Sequence, residues 1–197
     1  MKRYIKSAIT SLYDEDFDTL LEIAENENTS PDVLEEIYEL RNTARHRYAI
    51  PYEAIAKNPN ASESLLRKMY TSNKWYAEFI AKNPNISTEL ISELINNVIE
   101  HSYDDDELFI SIGYNPNTTA KQLKQITDYV LTRNNAEHIM WSLLNNDKLP
   151  ASALQKLVHS RKFAWMSGTL ISKVYEHPNA TQAIKSFLEN NYRGYFI

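Results

Sequence analysis

The chain has 197 residues, with 26 acids against 21 bases, 43% hydrophobic residues, three glycines and no cysteine. So little glycine argues against Gly-rich phosphate loops and against a β architecture with many tight turns, and the lack of cysteine removes soft metal ligation. No run approaches the roughly 20 apolar residues of a membrane span, and Met1 to Leu12 lacks the apolar stretch and small-residue cleavage site of a secretory signal, so the expected compartment is the cytoplasm and no membrane partner is expected.

The first predicted helix begins near Phe17, where Asp14, Glu15, Asp16 and Asp18 suit its positive end. Asn26, Glu27, Asn28 then open a turn that recurs along the chain. It returns as Asn58, Pro59, Asn60; as Asn83, Pro84, Asn85; as Asn115, Pro116, Asn117; as Asn146, Asp147, Lys148; and as His177, Pro178, Asn179. The anchors lie 32, 25, 32, 31 and 31 residues apart, a period that indicates stacked supersecondary units.

Each anchor carries the same frame. Three residues before it stand Ile23, Ile55, Ile80, Ile112, Leu143 and Val174, and eleven after it stand Ile37, Met69, Leu94, Ile126, Leu157 and Leu188. All are predicted core. Two before the anchor, Ala24, Ala56, Ala81 and Gly113 are small enough for close approach between units, although Leu144 and Tyr175 hold that place later. Four after it, Ser30, Ser62, Ser87, Thr119, Pro150 and Thr181 mark where the next helix begins, five of them hydroxyl residues suited to an N-cap. Proline biases Asn58, Asn83 and Asn115 towards an extended backbone, so each ends a helix, and its amide can close an Asx-type turn. Pro31 and Pro150 are assigned to the first turn of the following helix.

After each turn the apolar residues keep helical spacing, as in Val33, Leu34, Ile37, Tyr38 and in Leu90, Ile91, Leu94, Ile95. Before each turn runs a shorter apolar segment, such as Trp75, Phe79, Ile80 or Phe109, Ile110, Ile112, expected as two turns of α or 3₁₀ helix. The differences in spacing are placed in connections around 40–50, 98–105 and 129–135. The expected fold is an all-α, right-handed helical-repeat solenoid of six irregular short-helix/long-helix units, HEAT-like, forming one domain over residues 1–197.

The run Ile-Ala-Lys-Asn-Pro-Asn, followed by Ser and a Leu-rich helix, resembles the variant leucine-rich repeat, a bacterial solenoid family of alternating α and 3₁₀ helices. Residues 77–95 carry the resemblance best, and it extends loosely to all six units. The resemblance implies a fold and a protein-binding habit. Some members hold a cysteine-ligated iron–sulfur cluster, which a chain without cysteine cannot carry, and no cofactor is expected. Frequent Asn, Ile, Tyr and Lys suit an AT-rich bacterial or phage genome.

Charge falls in blocks. Residues 7–40 hold eleven acids and no base, 41–82 eight bases against three acids, 83–120 seven acids and no base, and 121–197 ten bases against five acids. In stacked units such blocks become bands, which either compensate one another or grip a partner. The candidate partner-binding patch is Arg41, Arg45, Arg47, Arg67, Lys68 and Lys74, interleaved with Tyr48, Tyr70 and Trp75. That composition also admits a nucleic-acid-binding, HEAT-like solenoid as the alternative, although the helical phase puts Tyr70 in the core and the chain is acidic overall.

Catalytic residues are not assigned. His101, Asp104, Asp105, Asp106 and Glu107 lack EF-hand spacing and its central glycine, and read as a solvated acidic connection. His46, His138, His159 and His177 are scattered along the chain, and His177 can substitute for the anchor amide as a turn partner. The expected function is a non-catalytic protein-binding scaffold.

Overall fold

The structure, a computed structural model, describes residues 17–42, 50–101, 105–133, 136–160 and 168–195. Among these residues all regular structure is helical. The α-helices are α1 (Phe17–Glu25), α2 (Pro31–Glu39), α3 (Tyr52–Lys57), α4 (Glu63–Ser72), α5 (Ala77–Ala81), α6 (Thr88–His101), α7 (Asp106–Tyr114), α8 (Ala120–Val130), α9 (Glu137–Leu144), α10 (Ala151–Val158), α11 (Gly168–Glu176) and α12 (Gln182–Asn191). Short 3₁₀ turns cover Leu40–Asn42, Lys74–Tyr76 and Arg193–Tyr195. The chain divides into two compact units, Met1–Ser87 and Thr88–Ile197. No helix among the described residues is long and apolar enough to cross a membrane.

Helix boundaries follow the repeated frame. All six anchors interrupt helix, and α2, α4, α6, α8, α10 and α12 each start one residue after the predicted start position. Ser62, Thr119 and Thr181 accept the backbone N–H three residues on, and Thr119 with Gln122 forms a reciprocal capping box. Pro150 is itself the N-cap residue, with ψ 152°, and not part of the first turn as expected. Asn58 and Asn115 are extended, with ψ 128° at both, as a following proline requires.

The alternation of short and long helices is only partial. The helix after the turn is longer at four anchors, but α1 and α2 both have nine residues and α9 and α10 both have eight. Length is set by the connections, which tertiary packing can trade for helix. Of the twelve frame residues predicted as core, eleven are buried, and Ile23 is half-buried.

Packing joins like to like within each unit. In the first, α1 packs on α3 and α3 on α5; in the second, α7 packs on α9 and α9 on α11, while α6, α8, α10 and α12 pack in succession. Gly113 shows why small residues precede the anchor. A Cβ there would lie 2.2 Å from Ser142 Oγ and 2.8 Å from Ser142 Cβ, across the α7–α9 contact.

The anchors hold these rows together. In the first unit Asn58 Nδ2 donates to the carbonyls of Ala24 (2.8 Å) and Asn26 (2.9 Å), and Asn83 Nδ2 to those of Ala56 (2.7 Å) and Asn58 (2.8 Å). In the second, Asn146 Nδ2 donates to Gly113 (2.8 Å) and Asn115 (3.2 Å). Each amide oxygen faces the other way and accepts the N–H two residues on, closing the Asx turn at 2.8 Å for Asn58 and Asn83 and 3.1 Å for Asn146. One side chain thus closes its own turn and ties it to the previous one. The second polar residue of the triplet adds a bond, from Asn60 to Glu27 and Thr29, from Asn85 to Pro59, from Lys148 to Pro116 and from Asn179 to Asp147 and Leu149. Asn58, Asn83 and Asn146 are at most 8% exposed; their amides donate to the Ala24, Ala56 and Gly113 carbonyls at the helix ends and add a second bond to the anchor carbonyls, which already accept the N–H three residues on.

Candidate functional site

In the first unit a groove of about 610 Å³ opens along the pre-turn helices α1, α3 and α5. Phe17 and Leu21, one helical turn apart on α1, form one wall, and Trp75 and Phe79 form another; Ile50 and Pro51 lead into α3 between them. Glu25, Glu27, Glu53 and Lys57 also line it. Lys57 is held by Glu53, which leaves the margin acidic.

Local sequence explains why aromatic rings stand open here. Asn73, extended at φ −158°, ends α4 and accepts the Trp75 N–H at 3.0 Å, turning the chain outward into the 3₁₀ turn. Trp75 is 66% exposed and Phe17 45%. The Trp75 ring lies edge-on to Phe79, with centroids 4.9 Å apart, and 5.8 Å from Tyr76. Behind it Tyr76 stacks on Tyr52 at 4.8 Å, and Tyr52 meets Tyr38 edge-on at 6.0 Å. Burial, with help from Tyr52, pushes the Tyr76 phenol up to about 12. The row is packed and buried at its base and exposed at Trp75, a residue type enriched at interface anchors. Trp75, expected both in the short apolar segment before the anchor and among the rings interleaved with the basic patch, is exposed and lines this groove.

Of the six basic patch residues, Arg45 and Arg47 lie outside the described residues, as does Tyr48. The structure brings two of the other four together. Arg41 NH1 reaches Glu39 Oε1 at 3.2 Å while its guanidinium covers the Tyr38 ring at 3.7 Å, and Lys68 Nζ bonds the same Glu39 oxygen and Glu35. Burial pushes the Glu39 carboxyl up, but Lys68 and Arg41 outweigh it and hold its pKa below the ordinary value. Arg67 pairs with Glu63 on α4 at 2.8 Å, and Lys74 sits 3.4 Å above the Tyr70 ring, which is itself buried. Here the acidic block of α2 compensates the basic block of α4.

The second unit has a cleft of similar size, about 630 Å³, between α6 and α8. Its lining is polar and largely self-satisfied. Gln122 Nε2 donates to the Thr88 carbonyl (2.6 Å) and to Ser92 Oγ (2.8 Å), Gln125 bonds Asn96, and Asp128 bridges Lys124 and Lys156.

The residues weighed for metal or acid–base chemistry have structural partners. Asp105 caps α7 through the Leu108 N–H at 3.0 Å, Asp106 pairs with Arg133 at 2.8 Å, and His101 Nδ1 meets the Asn97 carbonyl; Asp104 lies outside the described residues. His177 Nδ1 accepts the Asn179 N–H at 3.1 Å, so the neutral ring carries its proton on Nε2, which donates to the Asn146 carbonyl at 3.2 Å. The chain matches no family model, no curated protein and no solved structure.

Proposed function

We propose that this chain is a non-catalytic, cytoplasmic protein-binding scaffold, a right-handed helical-repeat solenoid of the variant leucine-rich repeat kind, with its binding face in the groove of the first unit. The observation that carries this reading is the exposure of Trp75 and Phe17 along one groove, with buried Phe79 beneath Trp75, although the surrounding turns satisfy their own polar groups. The amide bonds from turn to turn support the solenoid, because the same bond repeats at the repeat period. The commitment of Asp105, Asp106, Asp128 and His177 to caps, ion pairs and turns supports the absence of catalysis. The acidic margin of Glu25 and Glu27 favours a partner segment that carries a basic residue beside an aromatic or aliphatic one. Nucleic acid has less support, because Arg41 and Lys68 are already neutralised on Glu39.

Selection of displayed peptides against the full chain tests this. Enrichment in basic–aromatic sequences is expected, with affinity falling at least tenfold for Trp75→Ala and for Glu25→Lys/Glu27→Lys. Peptides without that preference, or binding indifferent to these changes, would remove the groove from the proposal. A parallel charge reversal of Arg67, Lys68 and Lys74 asks whether the basic patch also takes part; a loss of binding at unchanged melting temperature assigns it a contact.

A further inference from the structure

The turn at 26–28 is built like those that follow, yet among the described residues its side-chain N–H groups meet no acceptor. Asn28 N–H donates to Asn26 Oδ1 at 2.9 Å, the same closure that Asn58 makes with Asn60 at 2.8 Å. With Oδ1 turned into its own turn, Nδ2 points away from it, as the Nδ2 of Asn58 does towards the Ala24 and Asn26 carbonyls. Asn58, Asn83 and Asn146 are buried at 3%, 0% and 8% exposure, whereas Asn26 and Asn28 are exposed. The Asn26 donor is therefore oriented before any acceptor arrives.

The turn at 177–180 offers the complementary set. Elsewhere the anchor amide takes the carbonyls two residues before and at the preceding anchor, and the second polar residue takes those one and three after it. At the last anchor these positions are Tyr175, His177, Pro178 and Ala180. His177 O already accepts the Ala180 N–H at 2.9 Å, but so does Asn58 O accept that of Ala61 while also receiving Asn83. Pro178 and Asn179 are exposed. Charge agrees with such a match, since residues 7–40 hold eleven acids and no base and residues 121–197 ten bases against five acids.

We infer that copies of this chain associate head to tail, the Asn26–Asn28 turn of one donating to the His177–Ala180 turn of the next. The contact is heterologous, so it extends into open chains unless its rotation closes a ring. An unpaired set of oriented backbone-directed bonds invites addition much as an exposed strand edge does.

Sedimentation velocity of the full chain over a concentration series tests this. Species beyond the dimer should grow with concentration and shrink when sodium chloride is raised tenfold. Asn26→Asp/Asn28→Asp keeps the oxygen that closes the turn and removes both donors, and it should weaken association at least tenfold with unchanged helicity. Pro178→Trp should block the other end. Mixing the two variants should then restore dimers and nothing larger, because one complementary pair of ends remains. A chain that stays monomeric at every concentration, an assembly that stops at two in the unmodified protein, or variants that associate as the parent does would each overturn the inference.

Discussion

Two turns of one plan, Asn83–Pro84–Asn85 in the first unit and His177–Pro178–Asn179 in the second, differ at their first side chain. The Asn83 amide makes three bonds, two donated to the Ala56 and Asn58 carbonyls and one accepted from Asn85 N–H. The His177 ring makes two, at 3.1 Å and 3.2 Å, with one nitrogen on each side. Both side chains are buried, at 0% and 4% exposure. An imidazole can therefore stand in for the amide only while it is neutral, since Nδ1 must accept. Burial holds its pKa below the ordinary histidine value against the opposing pull of the Asn146 carbonyl.

The sharpest way to break this comparison is to remove the amide. Asn83→Leu should destabilise the protein by about 2–5 kcal/mol, because it strands the Ala56 carbonyl and the Asn85 N–H at about 1–3 kcal/mol each, while Asn58 O keeps the Ala61 N–H. The same substitution at exposed Asn26 should cost at most about 1 kcal/mol, the net worth of one turn bond. Urea denaturation measures both, and equal losses would mean that the bonds between turns contribute little.

Next in size is the spacing that lets turns meet. Gly113→Ala should cost about 1–3 kcal/mol from overpacking against Ser142, more than the roughly 1 kcal/mol that alanine gains over glycine inside a helix. Ser142 is fully buried and donates to Ile139 at 2.8 Å, so it cannot simply turn aside. A stabilised Gly113→Ala variant would show that α7 and α9 can separate freely.

The smallest effect is the most diagnostic. His177→Asn should stabilise by about 0.5–1.5 kcal/mol at pH 7.5, the value of one added hydrogen bond, if the new amide reaches the Leu144 carbonyl as well as Asn146. The gain should widen at pH 5. The folded ring binds a proton more weakly than the unfolded one, so the His177 contribution is full above the ordinary histidine pKa and is lost as pH falls below it. The asparagine variant lacks that loss. Denaturation curves at the two pH values that shift in parallel for both proteins would contradict a buried neutral ring.

Helix starts and stops were legible in the sequence because they are local. Ser62, Thr119 and Thr181 cap within three residues, proline restricts its own neighbour, and the apolar phase places Met69, Leu94 and Ile126 on inward faces whatever they meet. Ala24, Ala56, Ala81 and Gly113 announced close contact by size alone. The candidate site was less legible. Trp75 reads both as an apolar residue before an anchor and as a ring of the basic patch, and neither reading shows the groove it lines with Phe17; an asparagine at the end of a helix, two residues before an aromatic one, was the available signal of its exposure. Arg41 and Lys68 were read as a patch, but sharing Glu39 could not be foreseen, since α2 and α4 are brought together by packing and not by spacing.

By itself, then, the sequence determined where this chain turns, which side of each helix is apolar, and that the turns repeat. Tertiary structure decided which carbonyls the anchor amides find, as Asn58 and Asn83 do 25 to 34 residues back, and which rings remain in water. The physical reason is range. Caps, turns and helical phase are settled by groups a few bonds apart, whereas a bond or a burial between distant residues exists only once packed helices bring them within about 3 Å of each other or cover them from solvent.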